Sequence, residues 1–137
     1  MLGELERDGR IVVADLEAGL GTTLRLEPGA VDVALIVVEP TAKAIEVGVR
    51  VADAAAARAR VVVVANKVRT APDHERIAVE FTGHELFVVP EDAEVVRADR
   101  AGLAPLDTAP DAPAVRALVE LAARLAPPPA GRKLFSS

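Results

Sequence analysis

The stretch Arg60-Val61-Val62-Val63-Val64-Ala65 decides the fold. Four consecutive valines favour a β-strand, because β-branched side chains pack well on a pleated sheet. The run is apolar throughout rather than alternating, which is typical of a strand covered on both faces, as in a parallel sheet. Similar short apolar runs occupy residues 11–14, 31–38 and 86–89. The sequence therefore predicts about four strands of one mostly parallel sheet.

Helical patterns separate and follow these runs. We predict helices over residues 41–59, 73–82, 92–100 and 111–126. Thr41 is a suitable N-cap for the first helix, and Gly102 is suited to stop the third. Asp111 can cap the fourth helix, whose apolar face is predicted to contain Val115, Leu118, Val119, Ala122 and Leu125. Alternating strands and helices predict an α/β fold of three layers, a parallel sheet between helices with right-handed crossovers.

Composition limits the class of protein. The 137 residues fit one domain, and a 51% hydrophobic content with 27 Ala and 21 Val predicts a folded core of small and β-branched side chains. A net charge of −5 and 2% aromatic residues argue against binding to nucleic acid or to an anionic membrane. The absence of Cys excludes disulfides, thiolate zinc sites and thiol nucleophiles. We expect a cytoplasmic protein with no membrane span.

Polar residues follow each apolar run, and in a parallel sheet ligands bind beyond the carboxyl ends of the strands. Asp15 ends the first run, and Gly19 follows four residues later. An acid in this position can hold Mg²⁺ through water while the glycine amide faces a phosphate. The same spacing also suits an Asp that only accepts hydrogen bonds from loop amides or caps a helix.

The later runs end in residues suited to a base. Asn66 can hydrogen-bond a purine edge, and the aliphatic stem of Lys67 can lie across the ring. Residues 90–92, Pro-Glu-Asp, form either a base-contacting loop or a simple turn. Taken singly, Asn66 and Lys67 are more typical of an ordinary solvated strand end, and residues 90–92 are more typical of a turn.

In their order along the chain, four segments resemble the C-terminal part of the MinD/ParA-type P-loop ATPases of the SIMIBI class. The segments are IVVADLEAG (11–19), VDVALIVVEPTAKAIEVGVRV (31–51), VVVVANKVR (61–69) and VVPEDAEVVRADRAG (88–102). They are most similar to the CooC-like branch, the accessory ATPases of nickel insertion into carbon monoxide dehydrogenase. The resemblance covers residues 1–126 and leaves 127–137 as an exposed tail.

The resemblance implies a P-loop NTPase-like fold that binds ATP or ADP with Mg²⁺. Asp15 would be the switch acid near Mg²⁺, and Gly19 the glycine near the γ-phosphate. Asn66 would contact adenine, with Lys67 beside it. The family also dimerises with ATP between the subunits, which implies a homo-oligomer.

The same resemblance places Pro90 and Glu91 in the loop that borders the base. It does not supply a phosphate-binding loop, because no G-x-x-x-x-G-K-[ST] motif occurs in the chain. The cysteines with which nickel-handling relatives bind metal are missing too. In the family, the strand of that loop lies between the strand ending at Asp15 and the strand at 31–38, so another polypeptide would fill the gap unless these two strands pair directly.

Three interpretations follow. The first is an incomplete ATPase domain that does not hydrolyse ATP alone: one half of a split enzyme whose partner chain contains the P-loop, a truncated copy, or a fragment. The second is a non-catalytic module that binds or regulates a complete ATPase. The third is a flavodoxin-like or Rossmann-like domain, for which Gly19-Leu20-Gly21 is the only available glycine-rich turn.

Overall fold

A three-stranded parallel sheet forms the centre of the molecule. The computed structural model describes residues 11–16 and 20–126. The strands are β1 (Val33–Val38), β2 (Arg60–Val68) and β3 (Glu85–Pro90), in the spatial order β1-β2-β3. Both pairs are parallel, with Val33 beside Arg60 and Val62 beside Glu85 at their starts. This confirms the predicted α/β class and the parallel pairing.

Six helices precede, connect or follow the strands in the described residues. They are α1 (Leu20–Arg25), α2 (Ala42–Ala56), α3 (Ala71–Glu80), α4 (Ala93–Ala101), α5 (Pro105–Thr108) and α6 (Pro113–Leu125). Helices α2, α3, α4 and α6 fall close to the predicted positions. The short α1 and α5 were not predicted, because neither contains enough residues for a periodic apolar pattern.

The sheet separates two hydrophobic clusters. On one face, Ile45 of α2 and Ile77 of α3 pack with Val63 of β2. On the other face, Leu121 of α6 packs with Val62 and Phe87. Consecutive residues of β2 point to opposite faces, so the continuous valine run fills both clusters. The predicted three layers, with helices on both faces of the sheet, are therefore present.

The predicted strand at residues 11–14 is wrong. Residues 11–16 have no regular secondary structure and are exposed, with Val13 at 87% of its full accessibility. They do not pair with β1, so the described sheet has three strands rather than about four. A β-branched run becomes a strand only when a neighbouring strand pairs with its backbone groups, and no described strand does so here.

The helix ends show which local sequence signals predicted a cap or a stop correctly. The Thr41 side chain accepts a hydrogen bond from the Ala44 amide at 3.3 Å, and Gly102 ends α4 with a φ of 68°, as predicted. The cap assigned to Asp111 is wrong, because Ala112 occupies the N-cap of α6 and makes no side-chain bond. Asp92 instead accepts from the Ala114 amide at 3.0 Å. A tertiary contact thus replaces the predicted local cap.

The buried face of α6 also differs from the predicted one. Leu118 and Val119 are about half exposed, whereas Ala114, Val115 and Leu121 are buried. Ala114 and Leu121 pack against the sheet together with the partly buried Ala117 and Leu125. The Asp92 carboxylate holds the start of this helix through the Ala114 amide.

Gly48 lets α2 pack closely on the sheet. A methyl group at this position would lie 2.7 Å from Val38 Cγ2 and 3.1 Å from Phe81 Cζ. Val38 and Phe81 are both almost completely buried, so neither can move away easily. Close packing of the helix on β1 therefore depends on glycine at position 48.

We expect Gly48→Ala to lower the free energy of unfolding by about 1–2 kcal/mol, because overpacking outweighs the helix propensity of alanine. Urea denaturation followed by circular dichroism measures the change. Gly21→Ala is the matched control, since Gly21 is also helical but has nothing within 4 Å of the place that a methyl group would take. This control should stabilise the protein by about 0.5–1 kcal/mol. A Gly48→Ala protein as stable as the control would contradict the packing argument.

Candidate functional site

The carboxyl end of β2 contains a backbone distortion. The pairing of β2 with β3 is regular up to Ala65 and resumes at Val68, with a bulge between them. Within this bulge Lys67 has a φ of 57°, the only positive φ of a non-glycine residue among the described residues. Such a conformation costs about 1–3 kcal/mol and is enriched at binding and catalytic sites. This bulge sets the direction of the Asn66 and Lys67 side chains.

Lys67 forms an ion pair across the edge of the sheet. Its Nζ donates a hydrogen bond of 2.6 Å to Glu39 Oε1, just beyond β1. The hydrogen bond and charge of Glu39 raise the pKa of Lys67 above its ordinary value of 10.5. Both side chains are about half exposed, so this charged end of the sheet is accessible to a ligand.

A second ion pair links the ends of β2 and β3. The Arg69 guanidinium donates to the Glu91 carboxylate, with 2.7 Å between Nη2 and Oε1. The hydrogen bond and charge of Glu91 raise the pKa of Arg69. The Glu91 amide also donates to the Val68 carbonyl at 3.0 Å, which holds the predicted loop against β2. Glu91 thus lies beside the end of β2, and its carboxylate is paired with Arg69.

An open groove of about 370 Å³ lies next to this edge. Its lining residues are Lys67, Val95, Val96, Asp99, Leu103 and Pro105. Most of this lining is apolar, with one cation and one carboxylate, as in many small-molecule sites. The neighbouring Asn66 is half buried, and its side-chain amide makes no hydrogen bond to any described residue. Apolar walls beside free polar groups can accept a flat heterocycle.

Pro90 and Asp92 have structural roles in this arrangement. Pro90 ends β3 and lies beside Val68 in the sheet register. The Asp92 carboxylate accepts from the Glu94 amide and from the Ala114 amide, both at 3.0 Å. It therefore caps α4 and fixes the start of α6 at once. The Pro-Glu-Asp segment joins β3 to α4, which forms one wall of the groove.

Asp15 is not joined to this edge. It is exposed in a segment without secondary structure, and within the described residues it has no hydrogen bond or ion pair to the other predicted site residues. Gly19 lies outside the described residues. The described residues also contain no group of three or more His, Cys, Asp or Glu able to hold a metal ion.

Several residues of the groove were missed by sequence reasoning. Asp99, Leu103 and Pro105 come from α4, its C-terminal turn and α5. They lie more than 30 positions after Lys67 and carry no motif. Gly102 was the only local signal, because its left-handed conformation ends α4 and turns the chain towards the groove.

We expect the Lys67→Gly protein to be more stable than the Lys67→Ala protein by about 1 kcal/mol, because only glycine relieves the positive φ. Both variants lack the ion pair with Glu39, so the loss of this pair lowers the stability of the two proteins equally and does not affect their difference. Arg76 in α3 is the matched control, since an exposed residue within a right-handed helix favours alanine over glycine by about 1 kcal/mol. Urea denaturation measures both pairs. The same preference at the two positions would show that Lys67 is not strained.

Glu39→Gln should lower the pKa of Lys67 towards 10.5, because the group that raises it is removed. A nuclear magnetic resonance titration of the lysine amines measures this directly. Since the pKa is raised in the folded state, the contribution of the pair to stability is present below pH 10.5 and is lost as the pH rises beyond it. Glu46→Gln, which breaks the exposed pair with Arg50, is the control and should leave Lys67 unchanged. An unchanged pKa in Glu39→Gln would contradict the pairing.

Comparison with known proteins assigns no family. No protein-family model matches the chain, and no curated protein matches it significantly. Among the described residues, no helix is both long and apolar enough to cross a membrane.

Proposed function

We propose that this protein is a nucleotide-binding domain of the ATP type that does not hydrolyse ATP alone. The observation that carries the proposal is the strained Lys67 at the end of the central strand, beside Asn66 and an apolar groove. Ligands of open parallel sheets bind at this end of the strands, and backbone strain is retained where it positions a functional group. The ordered resemblance to MinD/ParA-type and CooC-like ATPases supports the choice of ATP.

The groove residues fit the base of a nucleotide. A planar purine between the Lys67 stem and Val96 would exclude water from both of its faces. The Asn66 amide has donor and acceptor atoms free to bond the edge of the ring, and the Asp99 carboxylate is a further acceptor. These groups bind and orient the base but perform no chemical step on it.

The site has few groups that could bind the phosphates of a nucleotide. The sequence contains no P-loop, and Asp15 is not gathered with the other site residues. Backbone amides of such a loop normally provide much of the affinity for phosphates. A partner chain that contains the loop would therefore be needed for turnover with Mg²⁺.

Isothermal titration with Mg-ATP tests the proposal. We expect a dissociation constant of about 0.1 mM or weaker, because binding rests on the base alone. Asn66→Ala and Lys67→Ala should each weaken binding about tenfold through the loss of contacts to the base. Arg76→Ala is the matched control, an exposed cation away from the strand ends, and should bind like the natural chain. Tight binding with steady phosphate release by the isolated protein would contradict the proposal. Equal affinity of all three variants for Mg-ATP would contradict it as well.

A second candidate function is that of a non-catalytic partner of a complete ATPase. It is favoured by the exposed apolar side chains of Val96, Leu103 and Leu106 beside the groove. Exposed apolar groups clustered next to a site commonly contact another protein. A change in the ATP turnover of a complete MinD/CooC-like ATPase on addition of this protein would favour this function over the first, provided that Mg-ATP does not bind to the protein itself.

A further inference from the structure

Asp99 supplies the negative charge of the groove beside β2. It lies in the last turn of α4 and lines the groove together with Val95, Val96 and Leu103. These four positions share one side of the chain's helical path, because they are three or four residues apart. The neighbours of the carboxylate on its own side of α4 are therefore apolar, and no cation of this helix face can pair with it.

The Asp99 carboxylate has no hydrogen bond or ion pair to any described residue. The other acids between positions 91 and 99 are all engaged. Glu91 and Glu94 each pair with an arginine, and Asp92 accepts from two backbone amides. An acid in the last turn of a helix is also disfavoured by the negative end of the helix dipole. The contacts of the fold thus explain three of these four carboxylates and leave Asp99 without a partner in the described part of the chain.

The charge of Asp99 is not balanced within the groove. Lys67 supplies the positive charge of the lining, but its ammonium group donates a hydrogen bond of 2.6 Å to Glu39. Lys67 and Glu39 together are neutral, so the carboxylate of Asp99 leaves the groove with one net negative charge. A ligand group beside Asp99 must therefore be a hydrogen-bond donor, whereas an anion is repelled from this place.

We propose that Asp99 determines the specificity of the groove for its base, by accepting a hydrogen bond from the exocyclic amino group of a purine. This inference rests on the proposed nucleotide-binding function. An ionised carboxylate has only acceptor atoms, so it stabilises an N–H group and disfavours a lone pair in the same position. The same charge keeps the phosphates out of the groove, so that the amino group points inwards and the phosphates point away from Asp99.

The turn that ends α4 holds the backbone of Asp99 in place. The Gly102 amide donates to the Asp99 carbonyl at 3.0 Å, and the Leu103 amide donates to the Ala98 carbonyl at 2.9 Å. The left-handed conformation of Gly102 makes both hydrogen bonds possible. A backbone that is already ordered lowers the entropic cost of binding, which suits a residue that has to recognise one group of a ligand.

A nuclear magnetic resonance titration with two magnesium-bound nucleotides tests the contact. ATP carries the amino group, and the triphosphate of purine riboside carries hydrogen in its place. We expect the natural chain to bind this analogue about tenfold more weakly than ATP, because one hydrogen bond to a charged acceptor is lost. In Asp99→Ala the two nucleotides should bind with equal affinity, since the group that recognises the amine is then missing.

Glu80→Ala is the matched control. Glu80 is also an exposed acid in the last turn of a helix and has no hydrogen bond or ion pair to the part of the chain that the structure describes. It ends α3 and does not line the groove. This variant should keep the tenfold preference for ATP, because removing a charge at a helix end does not by itself change the recognition of the base.

Two results would overturn the specificity of Asp99 alone. One is equal affinity of the natural chain for the two nucleotides, and the other is a preference for ATP that survives in Asp99→Ala. If ATP binding still depends on Asn66 and Lys67 in either case, the nucleotide site itself stands. Absence of ATP binding to the natural chain would overturn both the nucleotide function and the role of Asp99.

Discussion

The burial of β2 on both faces is the constraint on which the rest of the structure depends. Its side chains from Val61 to Ala65 are all buried, and each fully buried valine contributes about 1.5–3 kcal/mol relative to exposure. Alternate residues fill the two hydrophobic clusters, so helices are needed on both sides of the sheet. The strand also needs neighbours on both edges, which β1 and β3 supply. The candidate site lies at the end of β2, where this covering by helices and neighbouring strands stops.

Regular packing ends where β2 reaches the carboxyl edge. Up to Ala65 the strand is held by its neighbours, and beyond it the bulge and the positive φ of Lys67 redirect the chain. Ion pairs join this end of β2 to residues just beyond the strands on either side, Lys67 to Glu39 and Arg69 to Glu91. Exposed ion pairs contribute little energy, so the stability of this edge comes from the core beneath it. The ion pairs mainly set the directions of the side chains that form them.

The extent of correct prediction follows from how local each signal is. The valine run, the Thr41 cap and the Gly102 stop depend on neighbouring residues, and all three are confirmed. The run at 11–14 has the same chemistry but no neighbouring strand, so it stays unpaired. Asp111 has the right side chain for a cap, but Asp92 does this from another part of the chain. Lys67, which lines the groove, was singled out from the end of a strand, together with Asn66 next to it in the chain. The downstream wall could not be predicted, because it has no motif.

The sequence by itself determined the α/β class, the parallel sheet and the strand end that carries Asn66 and Lys67, because these follow from the order of apolar runs and from local backbone preferences. Only the tertiary structure decided that no strand among the described residues pairs with the outer side of β1, that Leu35 and Val37 are exposed, and that Lys67 faces Glu39. The physical reason is that a strand's partners and a side chain's surroundings come from segments distant in the chain. Local sequence states what a segment can form, and packing selects which segments are covered.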